Sequence, residues 1–159
     1  MKASVLTVGK LKEAYWRDAA EEYAKRLASY LDLEIVEVQD RDCDKLGIGR
    51  TRDEEGAELL KWLARNASGG MRVMALDIAG KQRDSVDFAK HIEALKVAGC
   101  SHLVCIIGGA VGLSDEVLAA ADERVSLGLA TWPHNLARVM LLEQLYRACR
   151  IAHKHPYHK

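Results

Sequence analysis

The sequence predicts an α/β protein whose strands lie largely parallel in one sheet, covered by helices on both faces. Short apolar, β-branched runs of strand length recur along the chain, and the segments between them carry helical periodicity. The 159 residues are 49% apolar, with two prolines, no repeat and no low-complexity run, which describes one domain over 1–159 with enough apolar content to build a core unaided.

The elements follow in order. The amino end is apolar for too short a span to be a signal peptide or a membrane helix, so Val5–Val8 reads as a first strand and the protein as cytoplasmic. Trp16, Ala19, Ala20, Tyr23, Leu27 and Tyr30 fall on one face of a first helix, and Leu33–Val38 follows as a second strand. Leu59, Leu60, Leu63 and Ala67 mark the next helix, and Val73–Asp77 the third strand. Phe88, Ile92, Leu95 and Gly99 lie on a third helix before the strand Leu103–Ile107. A shorter helix carries Leu113, Val117, Leu118 and Ala121, and a short strand near Val125–Leu127 precedes a last helix over about Asn135–His153.

Four cysteines, Cys43, Cys100, Cys105 and Cys149, are scattered without paired C-x-x-C spacing and read as small packing residues of a reducing compartment. Cys149 and His153, four apart on one helical face, would give a metal two ligands and lack two more at suitable spacing, so no metal is expected.

In open parallel sheets ligands bind beyond the carboxyl ends of the strands. Three loops lie there: 78–81, 107–114 and 128–134. In the second, Gly108, Gly109 and Gly112 let backbone approach a ligand closely or take positive φ, and Ser114 or Asp115 is placed to cap the next helix. It lacks the Gly-Lys-Ser/Thr of a phosphate loop and is not a dinucleotide fingerprint at the first strand; turning the chain is the plain alternative. The third loop, Gly128, Leu129, Ala130, Thr131, Trp132 and Pro133, is small and apolar, which suits an adenine and ribose held by backbone groups. Pro133 sits at a helix start, where proline is tolerated, and His134 is either a helix-start residue satisfied locally or a chemical group.

The last helix has a broad apolar side built on Val139, Leu142, Tyr146 and Cys149, while Glu143, Arg147, Arg150 and Lys154 recur on another. That polar stripe is either a solvated face or the approach to the terminus His155-Pro156-Tyr157-His158, which is expected to be ordered against its own protomer or a second one. From Ala130 onward five basic residues, Arg138, Arg147, Arg150, Lys154 and Lys159, face one acid, Glu143. In a chain of net charge zero, that asymmetry points to an anionic partner, nucleic acid first.

Ile-Gly-Gly-x-x-Gly-Leu-Ser at 107–114, Ser-Leu-x-x-x-Thr-x-Pro-His at 126–134, Glu-Gln-Leu-Tyr-Arg-Ala at 143–148 and His-Pro-Tyr-His at 155–158 resemble the RlmH-type large-subunit ribosomal RNA methyltransferases of the SPOUT superfamily. The resemblance covers the whole chain, including Val-Gly-Lys at 8–10 and Leu-Asp-x-x-Gly-Lys at 76–81. It implies a knotted α/β domain, the knot within about 103–159 forming a pocket for S-adenosylmethionine, and a homodimer in which the partner completes each site. It also implies methylation of N3 of a pseudouridine in large-subunit ribosomal RNA, on an assembled ribosomal surface. By position, cofactor contacts fall on Leu76, Gly109 and the run Gly128, Leu129, Ala130, Thr131, Trp132 and Pro133, with Gly108 and Gly112 beside them. His158 and Tyr157 are placed near the base, Arg147 or Arg150 near imide oxygens or phosphate, and His134 as a second candidate base. The chain departs from the family in having Gly-Gly-Ala-Val-Gly for Gly-Gly-Pro-Glu-Gly, so no role rests on that acid, and in having Gly128 where serine is common.

Two other readings stand beside this one: a nucleotide-binding α/β enzyme of another class, and a catalytically silent dimer that binds RNA or the ribosome.

Overall fold

The computed structural model describes residues 1–155. Its elements are β1 (Lys2–Val8), α1 (Ala14–Leu27), β2 (Asp32–Val38), α2 (Cys43–Leu46), α3 (Ile48–Asn66), β3 (Met71–Gln82), α4 (Ser85–Val97), β4 (His102–Ile107), α5 (Asp115–Ala120), β5 (Glu123–Ser126) and α6 (His134–Ala152). The five strands form one sheet in the order β2-β1-β4-β3-β5, with every neighbouring pair parallel.

Alternation along the strands sorts the core into two layers. On one face Ala3 and Val5 of β1 and Leu103, Cys105 and Ile107 of β4 pack with Leu27, Phe88, Ile92, Leu141, Leu142 and Leu145 of α1, α4 and α6. On the other, Leu6, Val8, Val104 and Ile106 meet Leu59, Leu63 and Val117 of α3 and α5. All six residues of β4 are buried, as a central strand covered on both faces requires.

The structure differs from the sequence reading at several places; Tyr30, Ala67, Gly99 and Ala121, for instance, lie just beyond the ends of their helices. The short helix α2 replaces a loop; Asp42 caps it, accepting from the backbone of Asp44 and Lys45 at 3.1 and 3.4 Å. Residues 78–81 are not a loop between elements, because β3 runs on to Gln82. Val125 of β5 pairs first with Leu76 and then again with Lys81, so Asp77–Gly80 is thrown out of the ladder as a bulge. Leu113 precedes α5 rather than lying on it. Pro133 is the residue before α6, extended at ψ 136°, and the helix begins at His134.

Arg138 is a further correction. It reads from sequence as one of the carboxyl-end cations open to an anionic partner, yet it is 1% exposed. Its guanidinium donates to Glu37 Oε1 at 2.6 Å, to Thr7 Oγ1 at 3.2 Å and to the Gly9 carbonyl at 2.8 Å. The charge is spent inside the protein, fastening the first turns of α6 to the carboxyl ends of β1 and β2. Removing one partner of such a buried pair typically costs about 3–5 kcal/mol.

Candidate functional site: a cleft at the carboxyl ends of the strands

The carboxyl ends of β4 and β5 and the bulge of β3 open onto a cavity of about 760 Å³, within the range of small-molecule sites. Its walls are the β3 bulge, the glycine loop 107–113 and the segment 125–134. Of the sequence-predicted residues, Leu76, Gly108, Gly109, Gly112, Gly128, Ala130, Thr131, Trp132, Pro133 and His134 line it. Leu129 does not: it is 81% exposed and leaves the wall to its neighbours.

The glycines are required by space as well as by conformation. A Cβ on Gly108 would lie 2.8 Å from the carbonyl carbon of Gly112, and one on Gly109 would lie 2.8 Å from Glu55 Oε2 and 3.0 Å from Val8. Gly112 has φ of +77°, and its N–H donates to the Gly109 carbonyl at 3.1 Å, folding the loop back on itself. Ser114 then caps α5 by accepting from Val117 N at 3.3 Å. The loop 126–133 is pinned at its base, where the buried Ser126 hydroxyl donates to the Gly128 carbonyl at 2.8 Å and accepts from Gly128 N at 3.2 Å. Gly128 itself takes φ of +130°, which disfavours a serine at this position.

Beneath the glycine loop lies Glu55, 3% exposed. One carboxylate oxygen accepts from Arg41 N at 2.9 Å; the other, Oε2, is buried without a hydrogen-bond partner. Burial raises its pKa, and the nearby Asp40 adds to that, against the opposing Arg41 N–H. His134 lines the cavity, where burial and then the charge of Arg138 lower its pKa against the opposing charges of Asp40 and Glu13, which favours the neutral imidazole.

Arg147 lies elsewhere. It sits well along α6 and donates to Glu143 Oε1 through Nε at 2.9 Å. The end of that helix forms an aromatic and basic cluster with the end of α1: Tyr30 OH is 3.0 Å from His155 Nδ1, the Tyr30 and His153 rings are 5.1 Å apart, and Arg150 lies 5.9 Å over the Tyr146 ring. His155 is thus docked on its own chain; Tyr157 and His158 lie outside the described residues. His153 turns its Nδ1 to the Cys149 carbonyl at 2.8 Å rather than to the thiol, which is buried and raised in pKa by that burial. Among the described residues no three His, Cys, Asp or Glu side chains converge as a metal site, and no helix is long and apolar enough to cross a membrane.

Sequence reasoning missed Arg52 and Glu55, and it gave Asp77 and Ile78 only as part of a motif and a loop, with no role in the site. Asp77 and Ile78 reach the cavity only because the bulge carries them there. Thr51 and Glu55 continue the 59 and 63 face of α3 at helical spacing, both buried. Two polar residues extending an apolar stripe were the available signal.

A parallel α/β domain with a glycine-lined cleft at a strand-end loop cluster defines a nucleotide-cofactor type of protein, and comparison narrows it. The chain belongs to the SPOUT methyltransferase family: the family described as Predicted SPOUT methyltransferase matches residues 1–158. Among its relatives, the ribosomal RNA large subunit methyltransferase H of Clostridium kluyveri is 42% identical over 163 residues, and that of Enterococcus faecalis 43% identical over 163 residues, each covering 100% of both chains. Two solved structures share the fold. One is a probable methylase family protein from Haemophilus influenzae Rd KW20, with a TM-score of 0.59 and 13% identity over 99% of this chain and 70% of that one. The other is the SpoU methyltransferase AviRb from Streptomyces viridochromogenes in complex with AdoMet, with a TM-score of 0.51 and 18% identity over 96% of this chain and 58% of that one.

Proposed function

We propose that the protein methylates N3 of a pseudouridine in large-subunit ribosomal RNA, using S-adenosylmethionine, on the assembled ribosome in the cytoplasm. The observation that carries this reading is the convergence of the two family motifs, 107–114 and 126–134, on one cavity, in a chain 42–43% identical over its whole length to proteins named for ribosomal RNA methylation. The cavity fits the cofactor: its size suits an adenosine with an amino-acid side arm, and the glycine loop that lines it keeps its place only because a Cβ on Gly108 or Gly109 would clash with the structure behind it. Leu76, Gly108, Gly109, Gly112, Gly128, Ala130, Thr131, Trp132 and Pro133 would hold it.

When bound, the cofactor supplies an electrophilic methyl group on a sulfonium. The chain's own residues must hold the pseudouridine N3 in line with that methyl and take its weakly acidic proton. The neutral imidazole of His134, at the cavity wall, is one acceptor; Tyr157 and His158 are the others. Arg147, oriented by Glu143, and Arg150 meet imide oxygens or phosphate. A chain of net charge zero then relies on the ribosomal surface for much of its recognition.

The reading includes a knot within 103–159 and a homodimer. Helical rise supports the dimer. The 19 residues of α6 span about 28 Å, which separates the cavity at His134 from the cluster at His155. The four residues after His155 extend at most about 14 Å, about half of that span, which favours a tail that serves the cavity of a second copy.

The experiment is transfer of labelled methyl from S-adenosylmethionine to ribosomes of a strain lacking this activity, followed by nucleoside analysis of the large-subunit RNA. The expected product is 3-methylpseudouridine. A protein that binds ribosomes without incorporating label would instead be the silent binding dimer.

A further inference from the structure

The charged side chains lining the cavity, among the described residues, are Arg52 and Asp77, beside the neutral His134. Asp77 has a counter-ion, Arg124 Nη1 at 3.7 Å. Arg52 differs. Its Nε donates to the Val111 carbonyl at 2.9 Å, which fixes the guanidinium against the glycine loop, and it has no ion pair with a described residue. Arg52 lines the cavity, and its terminal NH2 groups make no hydrogen bond with a described residue.

S-adenosylmethionine carries one anionic group, the carboxylate of its methionine arm. The wall 126–133 offers backbone groups, apolar side chains and the Thr131 hydroxyl, and no charge, which suits the adenosine half. With the adenosine there, the amino-acid arm would be left to the glycine-loop side of the cavity, where Arg52 offers a planar fork matched to a carboxylate. We propose that Arg52 is a cofactor-binding residue, pairing through its terminal nitrogens with the methionine carboxylate while its Nε holds Val111. The inference rests on the cofactor assignment above.

Isothermal titration of the full chain with S-adenosylmethionine and with its decarboxylated form, which lacks only the carboxylate, tests it. The wild-type protein should prefer the carboxylated ligand by about tenfold or more. Arg52→Gln, which keeps a donor for Val111, and Arg52→Ala should both lose that preference, binding S-adenosylmethionine about tenfold more weakly and the decarboxylated ligand unchanged. Thermal unfolding of each variant checks that the fold is retained. Equal weakening of both ligands would overturn the proposal in favour of loop support through Val111. Unchanged affinity for both would overturn it as well; if the salt dependence of ribosome methylation then shifts, Arg52 belongs to an RNA phosphate. Failure of the wild-type protein to bind either ligand would instead remove the cofactor assignment itself.

Discussion

Single atoms decide the shape of the cleft, and Gly109 shows it most sharply. Its missing Cβ is what lets β1, through Val8, and α3, through Glu55, close against the loop. Gly109→Val should therefore push the loop into the cavity, and titration with S-adenosylmethionine should show binding lost while the fold, checked by circular dichroism, persists; undiminished affinity would detach this loop from the site. Glu55 makes a separate prediction through its raised pKa. A carboxyl that holds its proton more tightly when folded contributes stability that is full below the ordinary carboxylate range, near about pH 4. That contribution is lost as pH rises through the raised folded value, where an ionised oxygen with no partner is left buried. The unfolding midpoint of Glu55→Gln should fall less than that of the wild type between about pH 4 and neutrality. Parallel profiles would show that Glu55 is not shifted.

At the scale of elements, regular periodicity was legible and broken periodicity was not. The β-branched runs and the helical stripes predicted all five strands and the five longer helices near their observed places, because burial on a sheet or helix face leaves a period in the sequence. The β3 bulge leaves none. Asp77–Gly80 looks like a loop by composition, and only the double pairing of Val125 shows that the strand resumes beyond it. Gly80 is what permits this, since a Cβ there would lie 2.6 Å from Val125 N and 2.7 Å from the Arg124 carbonyl carbon. Gly80→Ala should force β5 away from β3, costing about 2–3 kcal/mol. Because β5 leads directly into the cavity wall at 126–133, cofactor affinity should fall with stability. Denaturant unfolding and titration together check this; an unaffected variant would mean that the bulge is free to rearrange. Arg138 and Arg52 were opaque for another reason: an arginine's partner lies elsewhere in the chain, and the residue type alone does not say whether its charge is spent within the fold or offered to a ligand.

At the scale of the whole molecule, the cavity motifs lie at the start of α6 and His155 follows its end, and on the proposed dimer the tail of one chain completes the cavity of the other. Truncation after His155 keeps the contact with Tyr30 and removes Tyr157 and His158. The shortened protein should fold and keep much of its cofactor affinity, while turnover on ribosomes falls by orders of magnitude, because positioning and proton transfer are both lost. That loss alone would not say whose cavity the tail serves. Mixing does. Gly109→Val supplies chains with a good tail and a blocked cavity, the truncated form supplies the reverse, and each is inactive by itself. In an equal, re-equilibrated mixture about half of the dimers pair the two kinds, and each such dimer holds one good cavity facing one good tail. About a quarter of wild-type turnover should then return. A tail that served its own cavity would leave the mixture as inactive as its components, since neither chain carries both parts. Turnover of the mixture, measured against protein concentration, therefore reports the shared site and the dimer that builds it in one experiment.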